Sequence, residues 1–133
     1  MIGIVVVTHG QLAEQLVEAA RTIVGELPRA AAVSIGWSDD VSQAQAEIER
    51  AIALVAPGGD VLILTDMFGG TPTNVSLPFL SARAEIVTGV NLPMLIKLST
   101  LREGDLLEVA RVVRDQGRGS IEVASEILGK RPA

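Results

Sequence analysis

The sequence predicts an α/β protein built on an open, doubly wound, mostly parallel sheet. Three observations carry this expectation. Short apolar strands alternate with amphipathic helical patterns along nearly the whole chain. The first and third strand candidates, Ile2–Val7 and Val61–Thr65, are almost continuously apolar, as strands covered on both faces must be. Each of them stops at a segment rich in turn chemistry, Thr8-His9-Gly10 and Asp66 to Pro72, where the chain turns into a helix. The length, 133 residues, suits one domain spanning residues 1–133, large enough to bury a core of its own.

The elements follow in order. After Gly10, apolar residues at Leu12, Leu16, Ala19, Ala20 and Ile23 have one-face helical spacing, and Gly25 with Pro28 ends the pattern. Residues 30–35 read as a second strand leading to Gly36-Trp37. Asp39 and Asp40 supply an N-cap for a helix with Val41, Ala44, Ile48, Ile52 and Val55 on its inner stripe, closed by Pro57-Gly58-Gly59. After strand three, Thr71 is placed as an N-cap with Pro72 at the first helical position, and a helix runs to about Ala82 unless Pro78 bends or shortens it. Residues 84–88 read as the fourth strand, and the loop from Gly89 follows. Residues 93–100 and 105–114 read as helices, the second with Leu106, Val109, Ala110 and Val113 inward, before Gly117 and Gly119 break the chain. Residues 120–128 fit a strand or a helix, and the tail from Gly129 is expected to fray.

Composition narrows the function. With no cysteine there is neither disulfide nor thiol chemistry, and one histidine cannot form a multi-histidine metal site. A net charge of −5 and only three aromatic residues, Trp37, Phe68 and Phe79, argue against a nucleic-acid partner and against stacking a flavin. No apolar run approaches a membrane span and no secretory signal pattern is present, so a cytoplasmic protein without membrane insertion is expected.

With four parallel strands, the order 2-1-3-4 puts strands 1 and 3 side by side with the switch point between them. The loops after those two strands carry His9 and Asp66, so topology alone brings this pair together. An aspartate accepting from one ring N–H would leave the other nitrogen basic and would stabilise positive charge on the ring. With no serine or cysteine beside it, His9 suits the role of nucleophile better than that of a base in a triad. The plainer reading, a turn histidine with a satisfied ring, stands beside this one. Gly69, Gly70 and Thr71 offer converging N–H groups and a helix start to a phosphoryl group, though Gly-Gly-Thr-Pro alone more often marks a simple strand-to-helix turn. Thr8, Phe68 and Asn91 are further candidates for supporting the site, and Trp37 for lying near it.

Thr8-His9-Gly10, Asp66-Met67-Phe68-Gly69-Gly70-Thr71-Pro72 and Gly89-Val90-Asn91-Leu92-Pro93-Met94-Leu95 occur in this order after strands one, three and four. Through these motifs the chain resembles, over essentially its whole length, the enzyme IIA domain of the mannose family of the bacterial phosphoenolpyruvate-dependent sugar phosphotransferase system. The resemblance implies a phosphotransferase with no cofactor, in which His9 accepts a phosphoryl group from the phosphocarrier HPr and passes it to a IIB partner. That partner is expected to be a separate protein, because the chain is too short for a fused IIB domain. It implies that Asp66 hydrogen-bonds the other ring nitrogen, and that residues 120–128 form a final antiparallel strand exchanged in a homodimer. Pro78 departs from the uninterrupted helix expected there. Alternatives are a regulatory binding module switched by phosphorylation and the phosphoryl-donating subunit of a dihydroxyacetone kinase; a small-molecule hydrolase fits less well.

Overall fold

The computed structural model describes residues 1–36 and 40–131. Trp37 and Asp39 lie outside the described residues, so the expectations placed on them have no structural counterpart. Four strands, β1 (Gly3–His9), β2 (Ala30–Ile35), β3 (Val61–Thr65) and β4 (Ala84–Thr88), form one sheet in the order β2-β1-β3-β4. All three pairings are parallel, as the sequence predicts.

β1 shows why both faces are covered. Ile4 and Val6 point into a layer with α1 (Leu12–Val24), α4 (Leu92–Leu98) and α5 (Leu106–Gly119). Val5 and Val7 point the other way, against α2 (Val41–Val55) and Val75 of α3 (Thr71–Ser76). All four are fully buried, which contributes roughly 1.5–3 kcal/mol each. This central strand has one register only, because a slip of one residue would exchange the two layers.

Several helices differ in detail from the sequence expectation. α1 buries Ala13, Val17 and Ala20, while Leu12 and Ile23 of the expected stripe are about half exposed. The cause lies at the helix start: Ala13 N–H donates to the buried Thr8 Oγ1 at 2.7 Å, which seats Ala13 against β1 and sets the rotation of the helix. α2 is N-capped by Asp40, whose side chain accepts from Ser42 N–H, and it turns Ala51 inward beside Ala44, Ile48 and Val55 while Val41 is exposed. α3 starts one residue early, with Gly70 as N-cap, so Thr71 is not the cap and Pro72 is not the first helical residue. α3 stops at Ser76, and a 3-10 turn, Leu77–Phe79, carries Pro78. Proline thus shortens the helix rather than bending it.

α5 runs through Gly117 to Gly119 instead of breaking there. A Cβ on Gly117 would stand 2.7 Å from the Met94 side chain, so the glycine lets α5 approach α4 closely. Residues 120–128 do not form the expected antiparallel strand: Ala124–Leu128 is a short helix, α6, ended by Gly129 in the left-handed conformation. Among the described residues no strand pairs with the segment, and the Val123 carbonyl takes the Glu126 and Ile127 N–H groups locally. Ile121, Val123, Ile127 and Leu128 remain exposed.

At the other end of the sheet the buried Arg102 ties the chain entry together. Its Nε–H donates to the Ile2 carbonyl at 2.9 Å and its Nη2 to the carbonyls of Pro28 and Arg29. Arg102→Leu removes this donor from the Ile2 and Pro28 carbonyls, while the Arg29 carbonyl keeps the Ile4 N–H, at roughly 1–3 kcal/mol for a buried group. Denaturant unfolding should show a loss of about 2 kcal/mol in this variant. The ring resonances of His9 should be unchanged, since seven strand steps, roughly 20 Å, separate Ile2 from His9.

Candidate functional site

The site forms where β1 and β3 end side by side. Val7 pairs with Thr65, the last residue of β3, and β1 continues beside β2 through Thr8 and His9, so His9 and Asp66 meet just beyond the final β1–β3 pair. Asp66 Oδ2 accepts two hydrogen bonds from the same residue, the His9 backbone N–H at 3.0 Å and ring Nδ1 at 2.8 Å. A carboxylate is an acceptor, so Nδ1 carries the proton and Nε2 is the basic nitrogen of the neutral ring. The juxtaposition expected from topology is present.

Asp66 is held from its other side as well, since Met67 N–H donates to Oδ1 at 3.0 Å. Partial burial alone would raise its carboxyl group. The His9 N–H bond, the ring hydrogen bond and the His9 charge outweigh this, and the group titrates below its ordinary range. The Asp66 side chain is 14% exposed and that of His9 26%, so the ring is the more accessible partner.

Gly70 explains part of the glycine motif. A Cβ there would lie 2.9 Å from His9 Cε1 and 3.5 Å from Nε2, so this backbone lies directly against the ring edge. Gly69, at φ +85°, makes the turn that delivers it. The Gly70 carbonyl accepts from Asn74 N–H at 3.0 Å as α3 begins, and Thr71 is exposed on its first turn.

The supporting residues divide. Thr8 supports the site through the backbone: its hydroxyl donates to the His9 carbonyl at 3.2 Å while accepting from Ala13 N–H. Asn91 is a helix cap and not a cleft residue; its Oδ1 accepts from Met94 N–H and its Nδ2 donates to the Gly117 carbonyl. Phe68 is 77% exposed and lines a groove of about 370 Å³ beside β4 and α5, with Thr88, Leu107 and Arg111, in which His9 takes no part. Sequence reasoning overlooked Thr73, fully buried and bonded to the Asp66 loop. Its signal was available only as a polar residue on the inner face of a short helix.

Fold and pair together define an α/β protein that presents a carboxylate-braced histidine at the switch point of its sheet. The chain belongs to the EIIA-man family, described as the fructose IIA component of the PTS system, whose model matches residues 3–113. It is thus a IIA component of the sugar phosphotransferase system in the mannose family, and such components are phosphotransferases. It is 32% identical, over 98% of its own length and 91% of the relative's, to the PTS system fructose-specific EIIA component of Bacillus subtilis (strain 168). It is 36% identical to the PTS system mannose-specific EIIAB component of Escherichia coli (strain K12), over 78% of this chain and 33% of that protein. Among solved structures, the mannose/sorbose-specific IIA subunit from Enterococcus faecalis superposes with a TM-score of 0.81 at 29% identity, covering 92% of this chain and 93% of that one.

Two outcomes follow from this geometry. Gly70→Ala should displace the His9 ring, visible as a change in its ring nitrogen shifts, because the ring is tethered through Nδ1 and cannot swing clear; unchanged shifts would contradict the contact. A depressed carboxyl contributes stability that is present above the ordinary carboxylate range and lost as pH falls through the lower folded value. The stability advantage of the unsubstituted protein over Asp66→Asn should therefore shrink below about pH 4, measured by thermal unfolding across pH.

Proposed function

We propose that this chain is a phosphoryl carrier in which His9 accepts a phosphoryl group from phospho-HPr and passes it to a IIB partner. The observation that carries the reading is the 2.8 Å bond from His9 Nδ1 to Asp66 Oδ2. It fixes the tautomer in which Nε2 holds the lone pair. The Nε2 lone pair attacks phosphorus, the N–P bond forms, and the donor's bond to phosphorus breaks with its electron pair staying on the donor. The ring then carries positive charge, which Asp66 offsets at Nδ1. Backbone N–H groups of Gly69, Gly70 and Thr71 serve the phosphoryl oxygens, a role supported by how closely Gly70 lies to the ring. Transfer to IIB is the same displacement in reverse.

The carrier works in the cytoplasm, as a homodimer, with its docking partners on the His9 side. Supporting the first point, none of the described helices is long and apolar enough to cross a membrane. The sugar served is left to the partner, since the histidine handles only the phosphoryl group.

The test is incubation with phosphoenolpyruvate, enzyme I and HPr, followed by intact mass. One acid-labile phosphoryl addition is expected, absent in His9→Ala; native mass of the same sample reads the dimer. Asp66→Asn should slow the addition at least about tenfold while remaining folded, since the charge that supports the phosphorylated ring is removed. An unmodified protein beside demonstrably active HPr, or modification of His9→Ala, would overturn the proposal.

A further inference from the structure

Behind the Asp66 loop lies a chain of hydroxyl groups. Thr65, the last residue of β3, and Thr73, on α3, are both fully buried. Thr73 Oγ1 donates to the Met67 carbonyl at 2.6 Å. Thr73 and Thr65 lie Oγ1 to Oγ1 at 2.7 Å. A hydroxyl has one proton, and that of Thr73 is committed to Met67, so Thr65 is the donor between the two.

Met67 is therefore held at both ends. Its carbonyl is fixed by Thr73, and its N–H holds Asp66 Oδ1 at 3.0 Å. The remaining carboxylate oxygen is the one that meets His9 twice. The connection runs without a gap from the buried threonines, through one residue of backbone, to the carboxylate and then to the ring. The β1 side has its own counterpart in the buried Thr8, whose hydroxyl donates to the His9 carbonyl. On both strands that build the site a buried threonine thus stands just before the working residue, Thr8 before His9 and Thr65 before Asp66. On the β3 side a second hydroxyl, that of Thr73, holds the loop beyond it.

The geometry points to Thr73 as a positioning residue for phosphoryl transfer: by clamping the Met67 carbonyl it fixes the Asp66 carboxylate in the orientation that keeps the His9 proton on Nδ1. This rests on the carrier reading above. Thr73 does not touch the reacting atoms and acts through Asp66. Losing its hydroxyl leaves a part-buried carbonyl without its donor and frees the turn from Asp66 to Gly70. The ring would then sample the other tautomer, whose Nε2 bears the proton and cannot attack.

Thr73→Val keeps the size and removes the hydroxyl; Thr73→Ser keeps the hydroxyl. His9 is the only histidine, so its ring nitrogen resonances are read without ambiguity. The unsubstituted protein should show the Nδ1-protonated tautomer. The Val variant should show a mixture, accept phosphoryl groups from HPr about tenfold more slowly, and have a displaced pH profile. The Ser variant should restore the tautomer and come within about twofold of the original rate. A Val variant with the original tautomer and rate, or a Ser variant as impaired as Val, would overturn the assignment. Should Val fail to fold, Thr73→Ala replaces it. In the unsubstituted protein the Thr73 hydroxyl proton must also exchange slowly, and rapid exchange would overturn the assignment without any variant. If the unsubstituted protein accepts no phosphoryl group, the carrier reading falls, while the tautomer measurement still decides the role of Thr73.

Discussion

One carboxylate oxygen, Asp66 Oδ2, accepts both the backbone N–H and the ring Nδ1 of His9, and the local structure is arranged to keep it there. The two residues are 57 positions apart in sequence, so only the sheet brings them together. The pairing of backbone and ring with a single atom fixes more than a distance. It fixes which way the imidazole faces relative to its own main chain, and with it the nitrogen that retains the lone pair. A ring held by one hydrogen bond could turn about that bond; one whose peptide is anchored to the same oxygen has little freedom left.

That constraint requires strand ends that do not wander, and the core supplies them. β1 lies between β2 and β3, with Ile4 and Val6 in one apolar layer and Val5 and Val7 in the other. Its register is therefore enforced from both faces, and the register of Val7 opposite Thr65 determines where His9 and Asp66 emerge. The small polar residues at the ends complete the arrangement. Thr8 seats the first turn of α1 against the sheet, and Thr73 seats α3 against the Asp66 loop. Because α3 has only six residues before Pro78 diverts the chain, its position owes little to helix length and much to such contacts.

The strands, their order and the His9–Asp66 pair were legible because they follow from periodicity and one topological rule. Continuous apolar runs identify buried parallel strands, and the switch point then says which loops meet. What escaped depends on contacts between segments distant in sequence. Gly117 reads as a helix breaker by propensity, yet close packing against Met94 makes it a residue of the helix interior. Leu12 and Ile23 read as an inner face, but the Thr8 bond to Ala13 rotates α1 so that smaller residues face the sheet. Asn91 looks like a cleft residue from its place after β4, and its amide is occupied in joining α4 to α5. Residues 120–128 carry no decisive period, so their conformation depends on whether a strand edge is available to them. Among the described residues none pairs with them, and the backbone closes on itself as α6.

The placement of charge around the ring suits a carrier for an electrostatic reason. A phosphoryl group and a carboxylate repel, so an aspartate beside the attacking nitrogen would oppose the chemistry it is meant to assist. Here Asp66 engages Nδ1, and the imidazole stands between it and Nε2. From that side the carboxylate can stabilise the positive charge that develops on the ring while remaining separated from the incoming group. On the other edge the Gly70 backbone lies against Cε1 and Nε2, and backbone N–H groups there can serve phosphoryl oxygens without adding negative charge. A side chain at residue 70 would take up that space. In the proposed relay the two edges of the imidazole thus have opposite duties, and the glycine next to one is as much a part of the chemistry as the aspartate next to the other.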